Sequence, residues 1–330
     1  MTDGILNINK PEGWTSQDVC SKLRHVLKIK KIGHTGTLDP MATGVLPVCT
    51  GKATRIIEYY DADMKSYHAA MQLGTETDTL DITGEVLAAH DYSEVSEKAV
   101  REAFKAYTGT VGQLPPKYSA LKVDGKRAYD LAREGKDFEL KRRYIEISRN
   151  EISHMDLERG IIEFDVTCSK GTYIRTICDD IGRALGCGAV MTSLTRTASG
   201  FFKIEDSHTI DEVIEAAEAG TVSELFIPAD ITLTKLGIIE LNNNRVTAFM
   251  NGNSSWSGDF RIKRPSEFKN VFRVYASAGS SAGSYAGSTS VASAGRGSDH
   301  NGQGDNGQRG VFLGTATIEN GSLVPQKVIR

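Results

Sequence analysis

At 330 residues, with 39% hydrophobic and 25% charged residues, the chain has the composition of a globular protein large enough for two domains. No run of 18 apolar residues is present, which excludes an obvious membrane-spanning helix. MTDGILNINKPEGW lacks the basic-then-apolar pattern of a secretory leader, so the expected compartment is the cytoplasm. Five cysteines without a CxxC pair read as reduced core thiols, and their spacing argues against a metal site. The net charge of −3 gives no overall attraction to nucleic acid. Bases nevertheless gather in KLRHVLKIKK (22–31), KYSALKVDGKR (117–127) and KRR (141–143), away from the acids of SEVSEKAVREAF and IDEVIEAAEAG. Such segregation marks either a basic groove or ordinary solvated faces, and charge alone leaves both open.

In chain order, GILNIN (4–9) alternates as a short strand. Thr15 and Asp18 form a capping box for a helix reaching about residue 28, with Val19, Leu23, Val26 and Leu27 on one face. GVLPVCTG reads as a buried strand. KSYHAAMQLG and ITGEVLAAH read as strands flanking an acid- and threonine-rich connection, TETDTLD (75–81). A helix follows, with Val100, Phe104 and Tyr107 at helical spacing and Gly109 as its stop. YIEISRNEISHM and GIIEFDVTC are strands joined by a turn near Glu158-Arg159-Gly160. TYIRTICDDIGRAL (172–185) and TIDEVIEAAEAG are helices. Without regular βα alternation, the expected class is α+β with a mixed, largely antiparallel sheet.

IPADI (227–231) marks the expected domain boundary, giving a first domain over 1–230 and a second over 231–330. The second is expected to be β-rich, from RVTAFMNGN, NVFRVYA and RGVFLGTATIENGSLVPQKVIR, with a hairpin at Glu319-Asn320-Gly321. Between these pieces, residues 276–310 are dominated by Gly and Ser and read as a disordered insertion.

GHTGTLDPMATGVLP (33–47) sets one acid, Asp39, among glycines, threonines and prolines. Asp-Pro in such company is an ordinary turn. Gly33, Gly36 and Gly44 also permit close backbone approach or positive φ, while Pro40 restricts Asp39 to extended geometry. The result is a stiff bend able to present a carboxylate at a fixed angle. The bare residues support both readings.

This segment resembles the catalytic-aspartate motif of the TruB-type tRNA pseudouridine-55 synthases. Four further segments are similar to that family's motifs in the family's order: GILNINKPEGWTS (4–16), KSYHAAMQLGTETDTLDITGE (65–85), QLPPKYSALKVDGKRAYDLAREG (113–135) and CSKGTYIRTICDDIG (168–182). The resemblance covers residues 4–230 and implies isomerisation of uridine to pseudouridine in the T-loop of tRNA, without metal or cofactor. It makes Asp39 the nucleophile and Arg175 the guanidinium that holds its charge. Tyr67 becomes the ring stacking on the everted uracil, Leu194 the apolar residue on its other side, and Tyr173 packing under the site. Lys10 supports the catalytic loop, and His34 fills the gap left in the RNA stack. Lys117, Tyr118, Lys122, Lys126 and Arg127, in a basic insertion spanning about 113–143, grip RNA. The second domain is implied to be a PUA-type RNA-binding module.

One carboxylate suffices for isomerisation, because no water is consumed. A glycosidase normally needs two, and no second acid occupies an equally presented loop. Two alternatives keep the tRNA or the chemistry: an RNA-folding chaperone acting by binding, and the catalytic subunit of a guide-RNA particle. The insertion resembles the standalone enzymes, so no obligatory protein partner and no membrane are expected.

Overall fold

The computed structural model describes residues 3–60, 63–277 and 310–329. Strands are β1 Ile5–Lys10, β2 Ile32–His34, β3 Thr43–Thr50, β4 Met64–Leu73, β5 Thr75–Thr77, β6 Val86–Ala89, β7 Gly109–Gln113, β8 Lys122–Val123, β9 Lys126–Arg127, β10 Arg143–Asp156, β11 Ile161–Ser169, β12 Ala189–Ser199 and β13 Phe202–Lys203. The five that follow are β14 Gly237–Leu241, β15 Phe260–Arg264, β16 Val271–Ala276, β17 Phe312–Glu319 and β18 Ser322–Val328. Helices are α1 Ser16–Leu27, α2 Glu97–Ala106, α3 Ala128–Arg133, α4 Ile174–Ala184, α5 Ile210–Glu218 and α6 Val246–Met250.

The central sheet runs β1-β3-β12-β4-β11-β10-β7, with β2 added to β3 and β13 to β12. Every pairing is antiparallel except β12 with β3, so the α+β expectation holds. The alternation of β4 turns Tyr67, Ala69, Met71 and Leu73 to one buried face. That face is covered by Val19, Cys20 and Leu23 of α1, Val100 and Phe104 of α2, Ile174, Ile177 and Ile181 of α4, and Val213 of α5. Of the helix stripes predicted from sequence, Val19, Leu23, Val100 and Phe104 are core residues, Leu27 and Tyr107 pack partly buried against them, and Val26 lies outside the cluster. α1 begins at the expected capping box: the Thr15 side chain accepts from the Asp18 N–H (3.0 Å) and Asp18 Oδ2 from the Thr15 N–H (2.9 Å). All five cysteines are buried and unpaired, as expected.

A second sheet, β15-β14-β16-β17-β18, carries its own core around Ile239, Phe249, Val274 and Leu323. A further cluster, Ile5, Val45, Phe202, Leu233, Leu236 and Val271, joins it to the back of β1 and β3. The hairpin at Asn320-Gly321 forms with both residues at positive φ (49° and 78°).

Three expectations are corrected. RVTAFMNGN is not a strand: Val246–Met250 is α6, whose Val246 and Phe249, three apart, both turn into the small core. ITGEVLAAH is a strand only from Val86, because Asp81 and Thr83 form a side-chain-to-backbone turn before it. Ala276 is the buried last residue of β16 and not part of the Gly/Ser insertion. Residues 278–309 of that insertion lie outside the described residues.

Candidate active site

The loop between β2 and β3 carries Asp39 and is staked at several points. Ser16, the first residue of α1, accepts from the Leu38 N–H (2.9 Å) and donates to its carbonyl (3.2 Å). The Lys10 ammonium donates to the carbonyls of Pro11 (2.9 Å), Trp14 (2.6 Å) and Pro40 (3.1 Å). The Gly13 N–H also donates to Pro40 (2.9 Å), and the Ala42 N–H closes a turn onto the Asp39 carbonyl (3.1 Å). Leu38 and Ala42 are buried on either side of Asp39, whose own side chain stays 39% exposed. A carboxylate flanked by buried anchors has little freedom except to face outward. Both readings of the Asp-Pro pair are therefore true at once: it is a turn, and the turn presents the acid.

Of the three glycines, only Gly44 uses positive φ (96°), and a Cβ there would sit 2.3 Å from the Arg196 carbonyl. That clash explains the residue: β3 and β12 run parallel at this point, with Gly44 opposite Arg196. Gly36 has ordinary φ but lies under Lys65, whose Nζ would be 2.9 Å from an added Cβ.

Arg175, in the first turn of α4, is buried and reaches the Asp39 carboxylate at 3.2 Å. Its other contacts are the carbonyls of Thr79 (2.9 Å) and Tyr118 (3.2 Å) and, at 3.4 Å, the carboxylate of Asp81. Sequence reasoning missed Asp81 as a member of the site. It is buried, and its Oδ1 accepts from Thr79 Oγ1 (2.8 Å), the Thr83 N–H (3.0 Å) and Thr83 Oγ1 (2.5 Å). It thus orients the guanidinium from behind, and among the described residues the acid paired with Arg175 that is presented to solvent is Asp39. The acid- and threonine-rich composition of TETDTLDIT was the available signal, since closely spaced Asp and Thr favour such turns.

Tyr67 on β4 and Arg196 on β12 are paired across the sheet. Alternation puts Lys65 on the same face as Tyr67, and Leu194 on the same face as Arg196. Tyr67 and Leu194 are both nearly buried. Burial pushes the Tyr67 phenol up to about 12, against the opposing pull of Arg196. It is a neutral phenol at physiological pH, suited to stacking and hydrogen bonding.

Tyr173 precedes α4 and is locked by the missed residue Gln113, whose side chain accepts from its N–H (2.8 Å) and donates to its carbonyl (3.0 Å). Burial raises its phenol pKa. Lys10 is fully buried, and desolvation lowers its ammonium to about 8, partly countered by Asp39. His34 ends β2 half-buried; its pKa is lowered by burial and by the charges of Arg196 and Lys65, leaving a neutral ring at pH 7.

In the insertion, Lys117, Lys122, Lys126 and Arg127 are exposed and Tyr118 is half-buried. β8 and β9 form a hairpin across Asp124-Gly125, both at positive φ (51° and 84°). Arg127 donates to the Tyr129 hydroxyl (2.9 Å), and Arg127 and Arg133 lie 5.7 and 5.5 Å from its ring centroid. The structure thus brings Asp39 and Arg175 together and sets Lys10 under their loop. The basic hairpin forms a separate exposed patch, joined to the site through the Tyr118 carbonyl.

Residues 24–174 match the TruB family pseudouridylate synthase (N terminal domain), and residues 175–234 match the tRNA pseudouridylate synthase B C-terminal domain; the chain belongs to this family. A tRNA pseudouridine synthase B of Clostridioides difficile is 44% identical over 250 residues, covering 76% of this chain and 83% of the relative. Another, of Thiobacillus denitrificans, is 37% identical over 328 residues, 99% of this chain and 96% of the relative. Among solved structures, a Cbf5-Nop10-Gar1 complex aligns at 27% identity and TM-score 0.62, covering 83% of this chain and 74% of that one. No helix of the described residues is long and apolar enough to cross a membrane.

Proposed function

We propose that this chain isomerises uridine to pseudouridine in the T-loop of tRNA in the cytoplasm, acting without a protein partner. The observation that carries the reading is the Asp39–Arg175 pair, 3.2 Å apart on a loop fixed by Lys10 and Ser16. In the reaction the N1–C1′ bond breaks, the uracil turns, C5 joins C1′, and the C5 proton is lost while N1 gains one. Atoms balance without water or co-substrate. Asp39 supplies the negative charge or nucleophile at the reacting nucleoside, and Arg175 fixes its direction. Tyr67 and Leu194 supply the apolar surfaces for an unstacked base.

The exposed Lys117, Lys122, Lys126 and Arg127 hold phosphates of the T-arm, with affinity falling as salt rises. His34 offers a neutral planar ring to the gap left by the everted base. The second sheet, beyond the family-matched residues, is read as a PUA-type RNA-binding domain over 231–330, beside a catalytic domain over 1–230.

A guide-RNA particle subunit is the second reading, favoured by the structural likeness to the Cbf5 complex. The higher identity to bacterial relatives supports a standalone enzyme. Purified chain is incubated with unmodified tRNA transcript and pseudouridine is mapped along it. A single T-loop site without added protein or guide supports the proposal. Release of free uracil, or dependence on a guide, overturns it.

A further inference from the structure

Beneath the catalytic loop lies a concentration of positive charge that the reaction as described does not use. Arg196 is wholly buried. Its Nε donates to the Val45 carbonyl (2.6 Å) and its Nη2 to the Gly36 carbonyl (3.2 Å), while Nη1 has no hydrogen-bond partner among the described residues. Lys65 stands on the same face, against Gly36, with Nη1 of Arg196 on the same side of that glycine. Neither cation forms an ion pair among the described residues. Nearby Lys170 is itself paired, to Asp63 at 2.8 Å. The Tyr67 phenol, which Arg196 faces, is neutral and cannot compensate two charges.

Placing two cations side by side in a poorly hydrated position costs several kcal/mol unless a negative charge arrives. A uracil carbonyl carries no charge to match them; a phosphodiester does, with an oxygen able to accept from the partly exposed ammonium while the buried guanidinium adds its charge from behind. Gly36 precedes Asp39 by three residues, so the two lie at most about 11 Å apart on the same loop. A Cβ at Gly36 would lie 2.9 Å from the Lys65 ammonium, so a side chain there would push the end of Lys65 aside.

We propose that Lys65 and Arg196 form a phosphate site for the everted nucleotide itself. Lys65 takes a non-bridging oxygen of the phosphodiester adjoining the target uridine, and Arg196 supplies the second charge from below. The site ties the nucleotide's backbone to the same loop that carries Asp39, so the anomeric carbon is registered against the carboxylate. Lys65 is a positioning residue. This inference rests on the reading of the chain as an enzyme acting on RNA.

The test is a binding cycle in an Asp39→Asn background, where the RNA is not converted. Lys65→Met and Lys65→Arg are compared on a T-arm stem-loop and on two versions carrying a neutral methylphosphonate 5′ or 3′ of the target uridine. Thermal unfolding confirms that each variant is folded. Lys65→Met is expected to weaken binding to the all-phosphate RNA about tenfold, Lys65→Arg to restore most of it, and one methylphosphonate RNA to reduce the Lys65→Met penalty below about twofold. An equal penalty on all three RNAs, or none on any, overturns the site. Pseudouridine formation by the unmodified chain is scored separately. Its absence would fail the enzymatic reading while leaving the binding cycle interpretable.

Discussion

Replacing Arg175 by methionine tests the pairing on which the chemistry depends. At 3.2 Å and an effective dielectric near 20, unit charges attract by about 5 kcal/mol. Asp39 is 39% exposed, so water screens the pair; about half of that figure, roughly 2–3 kcal/mol, is the part available to the reacting state. At 1.36 kcal/mol per decade this predicts a turnover loss of roughly 30- to 150-fold. Affinity for tRNA should change less than about threefold, because the guanidinium is only 7% exposed and its edges are taken by Asp39, Asp81, Thr79 and Tyr118. The variant also leaves Asp81 buried without its cation, at a cost of about 3–5 kcal/mol in stability. Single-turnover pseudouridine formation at saturating enzyme gives the rate, filter binding gives the affinity, and urea unfolding gives the stability. Adding Asp81→Asn removes the orphaned charge: stability should recover in part and turnover should not. A folded Arg175→Met enzyme within a factor of five of the parent rate would refute the ion-pair argument.

Asp39→Asn should abolish turnover while tRNA still binds; retained tRNA-folding activity in that variant would instead support a chaperone. Gly44→Ala should destabilise the protein by more than about 2 kcal/mol, since positive φ and a 2.3 Å approach to the Arg196 carbonyl both oppose a side chain, and denaturant unfolding with an unchanged midpoint would contradict this. For Lys10, burial sets the folded pKa near 8, below the ordinary 10.5, so the unfolded chain binds more protons between those values. The stability of the parent relative to Lys10→Met should therefore rise as pH increases from about 8 to 10.5; a flat difference across that window would show that the ammonium bears no desolvation penalty.

Much of this protein was written locally. The capping box at Thr15, the stripe of Val19 and Leu23, the alternation of β4 and the stiff bend around Pro40 depend on residues close in the chain, and each formed as its spacing implied. The misread segments have the same explanation in reverse. Val246 and Phe249 suit a strand by propensity, and only packing against Leu323 and Val274 makes them one face of a short helix. Local reading also settled Asp39 and Arg175 as candidates, through motifs that carry their own context. It had no means of measuring 3.2 Å between residues 136 positions apart, of finding Asp81 behind the guanidinium, or of seeing Lys65 and Arg196 meet under Gly36. Those contacts join strands and loops distant in the chain, and a buried charge acquires its meaning only from neighbours that folding brings within a few ångströms.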